Sequence, residues 1–483
     1  MGINTFGLYI GVSLSVLAVL INIVASWLSE KFSEQNYRVL SLSTFMIFLL
    51  SMLVICTTNA TVLSLLVVGL IGIAQAVNSL RGYKLRYGLI DSKARVLKET
   101  LSLSGLQVFV GLILSLDSQI LLLIVLIAGL LSLFSTLYSL ASIKKTKTTI
   151  SSSDLPTVSL LIPARNEDHV LDQALANYIA LSYPKLEIIV LDDCSHDRTP
   201  QIIKNYAHAG VRFVPGKPLI DDWTGKNHAL QTLLNESSGE YVIFCDVDIR
   251  LSVNSINQLI ETALSNHLSM ISVMPGRREF DLFANLVQPI VEFWYLVWPL
   301  RDAVGGACMF FEASKLKSIG GFEPFKQSVV PEYSIAKQLK SSGYKLQSGA
   351  DNLGITTRKK LSSIVDTQVR LLYPTLGSSL AIASSAILLV VSMFIVLPIY
   401  TAASGSVLGL SVILVAVANN LIITRIFNPK NQFLATINLP ISALFFVIMI
   451  IKSTIDYEFR SVEWKKRNVC FPQIEVIASL PRV

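Results

Sequence analysis

The sequence predicts a mostly parallel α/β domain, cytoplasmic and inserted between two groups of transmembrane α-helices. Three observations carry that prediction. Of 483 residues, 52% are hydrophobic and only 15% charged, and the apolar residues gather into runs of about 20, the length that crosses a bilayer as a helix. The runs stop over a long central stretch, roughly 142–376. Within that stretch, short runs rich in β-branched residues alternate with amphipathic helical segments, the pattern of parallel strands covered on both faces.

Length alone allows about three domains. Membrane spans are predicted near 7–28, 39–57, 61–79, 101–116 and 119–141, then near 377–400, 405–424 and 433–452. Segment 101–116, interrupted by Ser and ended by Asp117, reads as a span or as a re-entrant segment. Met1 to Ile10 lacks a basic stretch and a small-residue cleavage site, so the first span reads as a retained anchor. Basic residues cluster at Arg81, Lys84, Arg86, Lys93, Arg95 and Lys98, and again at Lys144, Lys145 and Lys147. The positive-inside rule puts both clusters, and the domain that follows, on the cytoplasmic face of an integral cell-membrane protein. With a net charge of only +7, these cations read as anchors to anionic headgroups and not as a nucleic-acid surface. Three spans after the domain would leave the tail outside, whereas Arg460, Lys465, Lys466 and Arg467 place it inside. Either one of those three segments does not cross, or a further half-span follows. The layout is therefore a membrane region over 1–150, the α/β domain over 151–375, membrane helices over 376–456 and a basic tail over 457–483.

The domain begins after the polar linker Ser151-Ser-Ser-Asp-Leu-Pro156. Thr157–Pro163 is the first predicted strand, followed by the turn Ala164-Arg-Asn-Glu167 and a helix whose apolar face carries Leu171, Leu175 and Tyr178. Leu186–Leu191 is the second, ending in Asp192-Asp-Cys-Ser-His-Asp-Arg-Thr199, and Val211–Val214 the third. The fourth, Tyr241–Cys245, stops abruptly at Asp246 and Asp248. Strand ends of a parallel sheet share one edge, where open α/β sheets bind ligands, so three polar clusters converge on one crevice. Two carboxylates one residue apart repel unless a cation lies between them, and Mg²⁺ or Mn²⁺ holding a diphosphate suits that place; the alternative is an acidic surface turn. Gly210 to Lys217 is not a phosphate loop, because the spacing differs and Pro218 stands where Ser or Thr is needed. The five cysteines, Cys56, Cys194, Cys245, Cys308 and Cys470, show no metal or disulfide spacing, and Cys194 and Cys245 read as buried filler. The five histidines are scattered, and no zinc site is expected.

Several ordered blocks together resemble the family 2 glycosyltransferases, which have the GT-A nucleotide-sugar-binding fold. They are Pro163-Ala-Arg-Asn-Glu167, Asp192-Asp-Cys-Ser195, Trp223-Thr-Gly-Lys226, Asp246-Val-Asp248, Gly320-Gly-Phe322 and Glu332-Tyr-Ser-Ile-Ala336, the last preceding Leu339 and Gly343-Tyr344. The resemblance runs from about Pro156 to Tyr373. The Trp-Thr-Gly-Lys block and Trp464-Lys-Lys-Arg467 are similar to membrane members that glycosylate lipids, of the hopanoid-associated, carotenoid and ceramide types. It implies that Pro163, Ala164, Arg165, Asn166 and Glu167 wrap the base and ribose of a nucleotide sugar, with UDP the expected nucleotide. It implies further that Asp193 hydrogen-bonds the base or its ribose, that Asp246 meets ribose and metal, and that Asp248 ligates the metal. Lys226 fits a phosphate partner or is a surface lysine. Where the family has Glu-Asp, with Asp as general base, this chain has Pro331-Glu332; Glu332 is the base, or it caps a helix in a weak or inactive enzyme. The Q-x-x-R-W of processive members has no match, since Gln368-Val-Arg370 is followed by Leu371. Phe293-Trp-Tyr-Leu-Val-Trp-Pro-Leu-Arg301 reads as an interfacial helix or as core.

The expectation is an inverting, metal-dependent, non-processive transfer to the hydroxyl of a lipid or other hydrophobic acceptor. The alternatives are transfer to a polyprenyl phosphate, or a scaffold or transporter that has lost activity.

Overall fold

The computed structural model describes residues 118–142, 155–277, 305–348, 353–357, 361–396, 398–399, 405–427, 432–458, 462–465 and 467–468, with isolated positions before 118. The predicted spans 7–28, 39–57 and 61–79, the basic clusters between them and the domain, and the aromatic stretch 293–301 lie outside the described residues, apart from Ala74 and Lys98. So does most of 101–116. The chain forms two compact units, one of residues 1–130, 372–416 and 443–458, the other of 131–371, 417–442 and 459–483.

The elements, in chain order, begin with α1 (Ser118–Ser142), then β1 (Val158–Ala164), α2 (Asp168–Ile179), β2 (Leu186–Asp192), α3 (Thr199–Asn205) and β3 (Val211–Pro215). Next come α4 (Gly225–Glu236), β4 (Tyr241–Cys245), β5 (Ile249–Arg250), α5 (Ser255–Asn266), β6 (Met270–Met274) and β7 (Gly276–Arg277). The domain closes with β8 (Cys308–Glu312), α6 (Ala313–Ser318), α7 (Pro331–Leu339), β9 (Tyr344–Ser348) and β10 (Thr356–Thr357).

Seven strands make one sheet in the order β3-β2-β1-β4-β8-β6-β9. β1 and β4 are buried on both faces because their side chains alternate between two cores. Leu160, Ile162, Ile243 and Cys245 point to the side of α2, whereas Leu161, Val242 and Phe244 meet Leu230, Leu233 and Leu234 of α4. The predicted face Leu171, Leu175 and Tyr178 of α2 is fully buried, and the Tyr178 hydroxyl donates to the Ile249 carbonyl at 3.0 Å. The chain steps outward from β1 through β2 to β3, then returns to place β4 on the other side of β1. That reversal opens a crevice at the carboxyl ends of β1 and β4.

The sheet is not wholly parallel. β8 lies antiparallel between β4 and β6, with Cys308 opposite Cys245. Because it runs the other way, its start, and Gly306 and Ala307 before it, stand at the edge where β4 ends; the Asp246 amide donates to the Ala307 carbonyl at 2.9 Å. A small sheet, β5-β10-β7, flanks that edge.

After the domain come α8 (Leu361–Thr375), α9 (Leu380–Val391) with a π turn over Ser392–Val396, α10 (Val407–Phe427), α11 (Gln432–Ile437) and α12 (Leu439–Glu458). Among the described residues only Val407–Arg425 and Leu439–Glu458 are, alone, long and apolar enough to cross a membrane. The segment predicted as a span over 377–400 forms part of a pair, Leu361–Thr375 and Leu380–Val396, long and apolar enough together to cross but bent by 119°. The reason is local: Pro374 cannot sustain the helix hydrogen-bond ladder, Gly377 and Ser378 take positive φ, and Ser379 caps a new helix by accepting from the Ile382 amide. α1 is apolar over Leu122–Leu137. In the tail, β11 (Glu463–Trp464) and β12 (Arg467–Asn468) form a hairpin in which Lys465 takes φ 49°.

Candidate active site

The turn after β1 is shaped by its own residues. Asn166 adopts φ 50°, a left-handed conformation that Asn tolerates better than most residues. Its amide donates to Ser195 Oγ and its Oδ1 accepts from the His196 amide, both at 2.9 Å. The Glu167 amide donates to Thr199 Oγ1 at 2.9 Å, and the Asp193 amide to the Ala164 carbonyl at 2.8 Å. Arg165 Nη1 donates to the carbonyls of Asp193 and, at 3.0 Å, Cys194. Thus the Pro163–Glu167 and Asp192–Ser195 blocks form one wall. Burial raises the Asp193 carboxyl above its ordinary value, offset by Arg467 and Arg165. Burial likewise raises Glu167, offset by Lys465.

The second wall is the start of α4. Thr224 caps it, accepting from the Asn227 amide at 3.3 Å. Asn227 Nδ2 donates to the carbonyls of Phe325 and Ser328 at 2.8 Å, and the Thr224 amide to the Lys326 carbonyl at 2.8 Å. These bonds lash the Trp-Thr-Gly-Lys block to the loop that leads into α7. The Gly320–Gly321 block lies below it: both residues take positive φ, and Phe322 is fully buried, its amide bonded to Gln231 Oε1 at 2.7 Å.

Between the walls, Lys226 Nζ meets Asp246 Oδ1 at 2.7 Å and the Gly306 carbonyl at 3.2 Å. Asp248 Oδ2 accepts from Thr357 Oγ1 of β10 at 2.9 Å. Glu332 occupies the first turn of α7 behind Pro331 and is 8% exposed. Its carboxylate lies against Gly306, where a Cβ would be 2.8 Å from Oε1. Burial raises the Glu332 carboxyl; Lys226 and Arg370 oppose that rise and Asp246 adds to it. Glu332, Lys226 and Asp246 therefore share one electrostatic neighbourhood.

No group of three or more His, Cys, Asp or Glu side chains with metal geometry occurs among the described residues. The donor set still fits a magnesium-like ion, which typically takes one or two carboxylates and completes its shell with water and substrate phosphates. Asp246 and Asp248 would be the two carboxylates, and each has a polar neighbour, Lys226 and Thr357 respectively.

Four participants were not among the expected site residues. Gly306 belongs to an antiparallel strand entry absent from the predicted strands, and Thr357 follows a stretch with no strand signal. Lys465 and Arg467 read as tail cations that keep the tail inside, yet they pair with Glu167 at 3.1 Å and Asp193 at 2.5 Å. Cys245 and Cys308 are buried thiols with Sγ atoms 3.5 Å apart, whereas Cys194 is only half-buried.

Residues 159–301 match the family model Glycosyl transferase family 2. Among curated proteins, the chain is 40% identical over 99 residues to the probable glycosyltransferase YdaM of Bacillus subtilis, covering 20% of this chain and 23% of that one. It is 24% identical over 180 residues to a beta-monoglucosyldiacylglycerol synthase of Trichormus variabilis, covering 35% and 38%. It is 25% identical over 174 residues to a poly-beta-1,6-N-acetyl-D-glucosamine synthase of Staphylococcus epidermidis, covering 34% and 41%. The matches thus span well under half the length of these relatives. Among solved structures, the mannosyltransferase PcManGT from Pyrobaculum calidifontis, in complex with GDP-Man and Mn²⁺, aligns at TM-score 0.43 and 19% identity, over 68% of this chain and 99% of that one.

Proposed function

We propose that this chain, whose residues 159–301 match the Glycosyl transferase family 2 model, moves a sugar from a nucleotide-sugar donor, a UDP-sugar, to the hydroxyl of a lipid acceptor with inversion at C1. The observation that carries the reading is Glu332, a buried carboxylate beside the Lys226–Asp246 pair. A carboxylate with a raised proton affinity suits general-base work near neutral pH.

In this scheme the Pro163–Glu167 turn and Asp193 hold base and ribose, and Lys226 meets the diphosphate as a point charge. Asp246 and Asp248 would hold a divalent ion, which when bound supplies neutralisation of the charge that develops on the departing diphosphate. Glu332 Oε accepts the proton of the acceptor hydroxyl as its oxygen forms the new bond to C1 and the C1–diphosphate bond breaks. Gly306 and the start of α7 keep water away from that carboxylate, so the proton is taken from an acceptor that fits the crevice.

α10 and α12 support a membrane-bound enzyme that draws its acceptor from the bilayer, its domain on the cytoplasmic face, and the similarity to a glycolipid synthase points the same way. The similarity to a polysaccharide synthase supports a second reading, chain extension, against which the missing Q-x-x-R-W at 368–371 argues.

The test is full-length protein in detergent with radiolabelled nucleotide sugars, membrane lipid and Mn²⁺ or Mg²⁺. Label entering an organic-soluble product only with metal supports the proposal. Label in a water-soluble polymer favours chain extension, and no transfer from any donor refutes both.

A further inference from the structure

The hairpin after the last apolar helix lies on the donor cradle. Lys465 lies 299 residues beyond Asn166 and Arg467 274 beyond Asp193, yet the two engage the three segments that shape it. Lys465 Nζ bonds Glu167 Oε1 and the Asn166 carbonyl, both at 3.1 Å, and Arg165 Nε reaches back to the Lys465 carbonyl at 3.4 Å. Arg467 Nη1 holds Asp193 Oδ2 at 2.5 Å, in a pair whose side chains are 16% and 4% exposed. The same Nη1 lies where a Cβ on Gly225 would be 2.5 Å away, so it packs on the first residue of α4, next to Lys226. A lysine that only anchors to headgroups keeps its ammonium in water; these two cations are turned inward onto carboxylates.

We propose that the Glu463–Asn468 hairpin is a wall of the nucleoside-diphosphate site, Lys465 and Arg467 acting as positioning residues that orient Glu167 and Asp193 toward the nucleotide. The inference rests on the donor reading above. Chemistry supports it in two ways. A carboxylate that is to accept a hydrogen bond from a base or ribose is best ionised and fixed, and burial works against ionisation of both acids; an adjacent cation opposes that effect of burial. A nucleoside diphosphate also brings negative charge to a cradle already holding Asp192, Asp193, Asp246 and Asp248, and two inward-facing cations moderate that field.

The experiment is calorimetric titration of the full chain in detergent with UDP and with GDP in the presence of Mn²⁺, alongside donor KM and kcat. Wild type is expected to bind one of the two. Lys465→Ala and Arg467→Ala are expected to weaken that binding about tenfold or more and to raise donor KM in step, with kcat at saturating donor within about threefold. Arg467→Lys should recover most of the loss, since it keeps the charge. In the Asp193→Asn background, Arg467→Ala should add little, because its partner carboxylate is already gone. If Arg467→Ala does not fold, Lys465→Ala and Arg467→Lys carry the test alone. Wild-type affinity in Arg467→Ala or Lys465→Ala overturns this inference and leaves the donor reading intact. Failure of the wild type to bind either nucleotide overturns both.

Discussion

Gly306→Ala tests the position of Glu332 without touching its chemistry. Gly306 is not among the glycines with positive φ, so alanine meets no backbone obstacle. Its methyl would lie 2.8 Å from Glu332 Oε1, 3.1 Å from Cδ and 3.3 Å from Oε2. Ordinary contact begins at 3.4 Å, so the carboxylate must retreat by about 0.6 Å, in a reaction where a 1 Å misplacement can cost on the order of a hundredfold. We expect kcat to fall about ten- to fiftyfold. The stability cost should be small: overpacking of about 1–3 kcal/mol is partly offset by about 0.4–1 kcal/mol from the stiffer unfolded chain. Glu332→Asp withdraws the carboxylate by one methylene and makes room for the methyl, so Gly306→Ala should cost little further activity in that background. The assay is single-turnover sugar transfer, with thermal unfolding as the control. A folded Gly306→Ala enzyme with wild-type kcat would refute Glu332 as a geometrically constrained base.

Glu332→Gln should lower kcat about a hundredfold or more if the acceptor is a hydroxyl, and hardly at all if it is an ionised phosphate, which needs no base. The raised proton affinity of Glu332 also fixes a sign: its contribution to stability is fully present below the unfolded-state pKa and is lost as pH rises through the folded one. Glu332→Gln should therefore match wild type in Tm at low pH and exceed it at pH 8, and the acidic limb of the wild-type pH–rate profile should lie above that of an ordinary glutamate. Lys226→Met removes a charge-assisted partner worth about 1.5–3 kcal/mol, so donor KM should rise about ten- to hundredfold, read from initial rates. Thr357→Val frees Asp248 Oδ2 from its 2.9 Å partner; the Mn²⁺ concentration for half-maximal rate should rise about ten- to hundredfold, with the rate at saturating metal retained.

The sheet's first half was legible because its strands are buried on both faces and read as unbroken apolar runs; Val158–Ala164 and Tyr241–Cys245 are of this kind. β9, Tyr344-Lys-Leu-Gln-Ser348, pairs among the described residues with β6 alone, at the end of the strand order, and its alternating polar residues carry a much weaker signal. β8 is apolar, but nothing local fixes a strand's direction, which depends on where the chain enters the sheet. Much the same division holds for the site. Asn166, Asp193, Lys226 and Asp246 fall within or directly after strands and turns whose spacing is short-range. The pairing of Arg467 with Asp193 joins segments that only the folded chain brings together, and a basic residue beyond an apolar helix has a simpler explanation in lipid headgroups.

The hairpin's ion pairs also count membrane crossings. On the membrane reading proposed above, a bilayer has two faces, so a chain that leaves a domain on one face and returns to that domain has parity zero: it has crossed an even number of times. Lys465 and Arg467 return the chain to the domain it left. Two helices in between, Val407–Arg425 and Leu439–Glu458, can each cross alone, and the pair bent by 119° cannot be a third crossing without breaking that parity. On that reading, with both of those helices crossing, the bent pair enters and leaves by one face, and a protease-sensitive tag placed after Val483 is expected on the same side of the membrane as the proposed sugar donor.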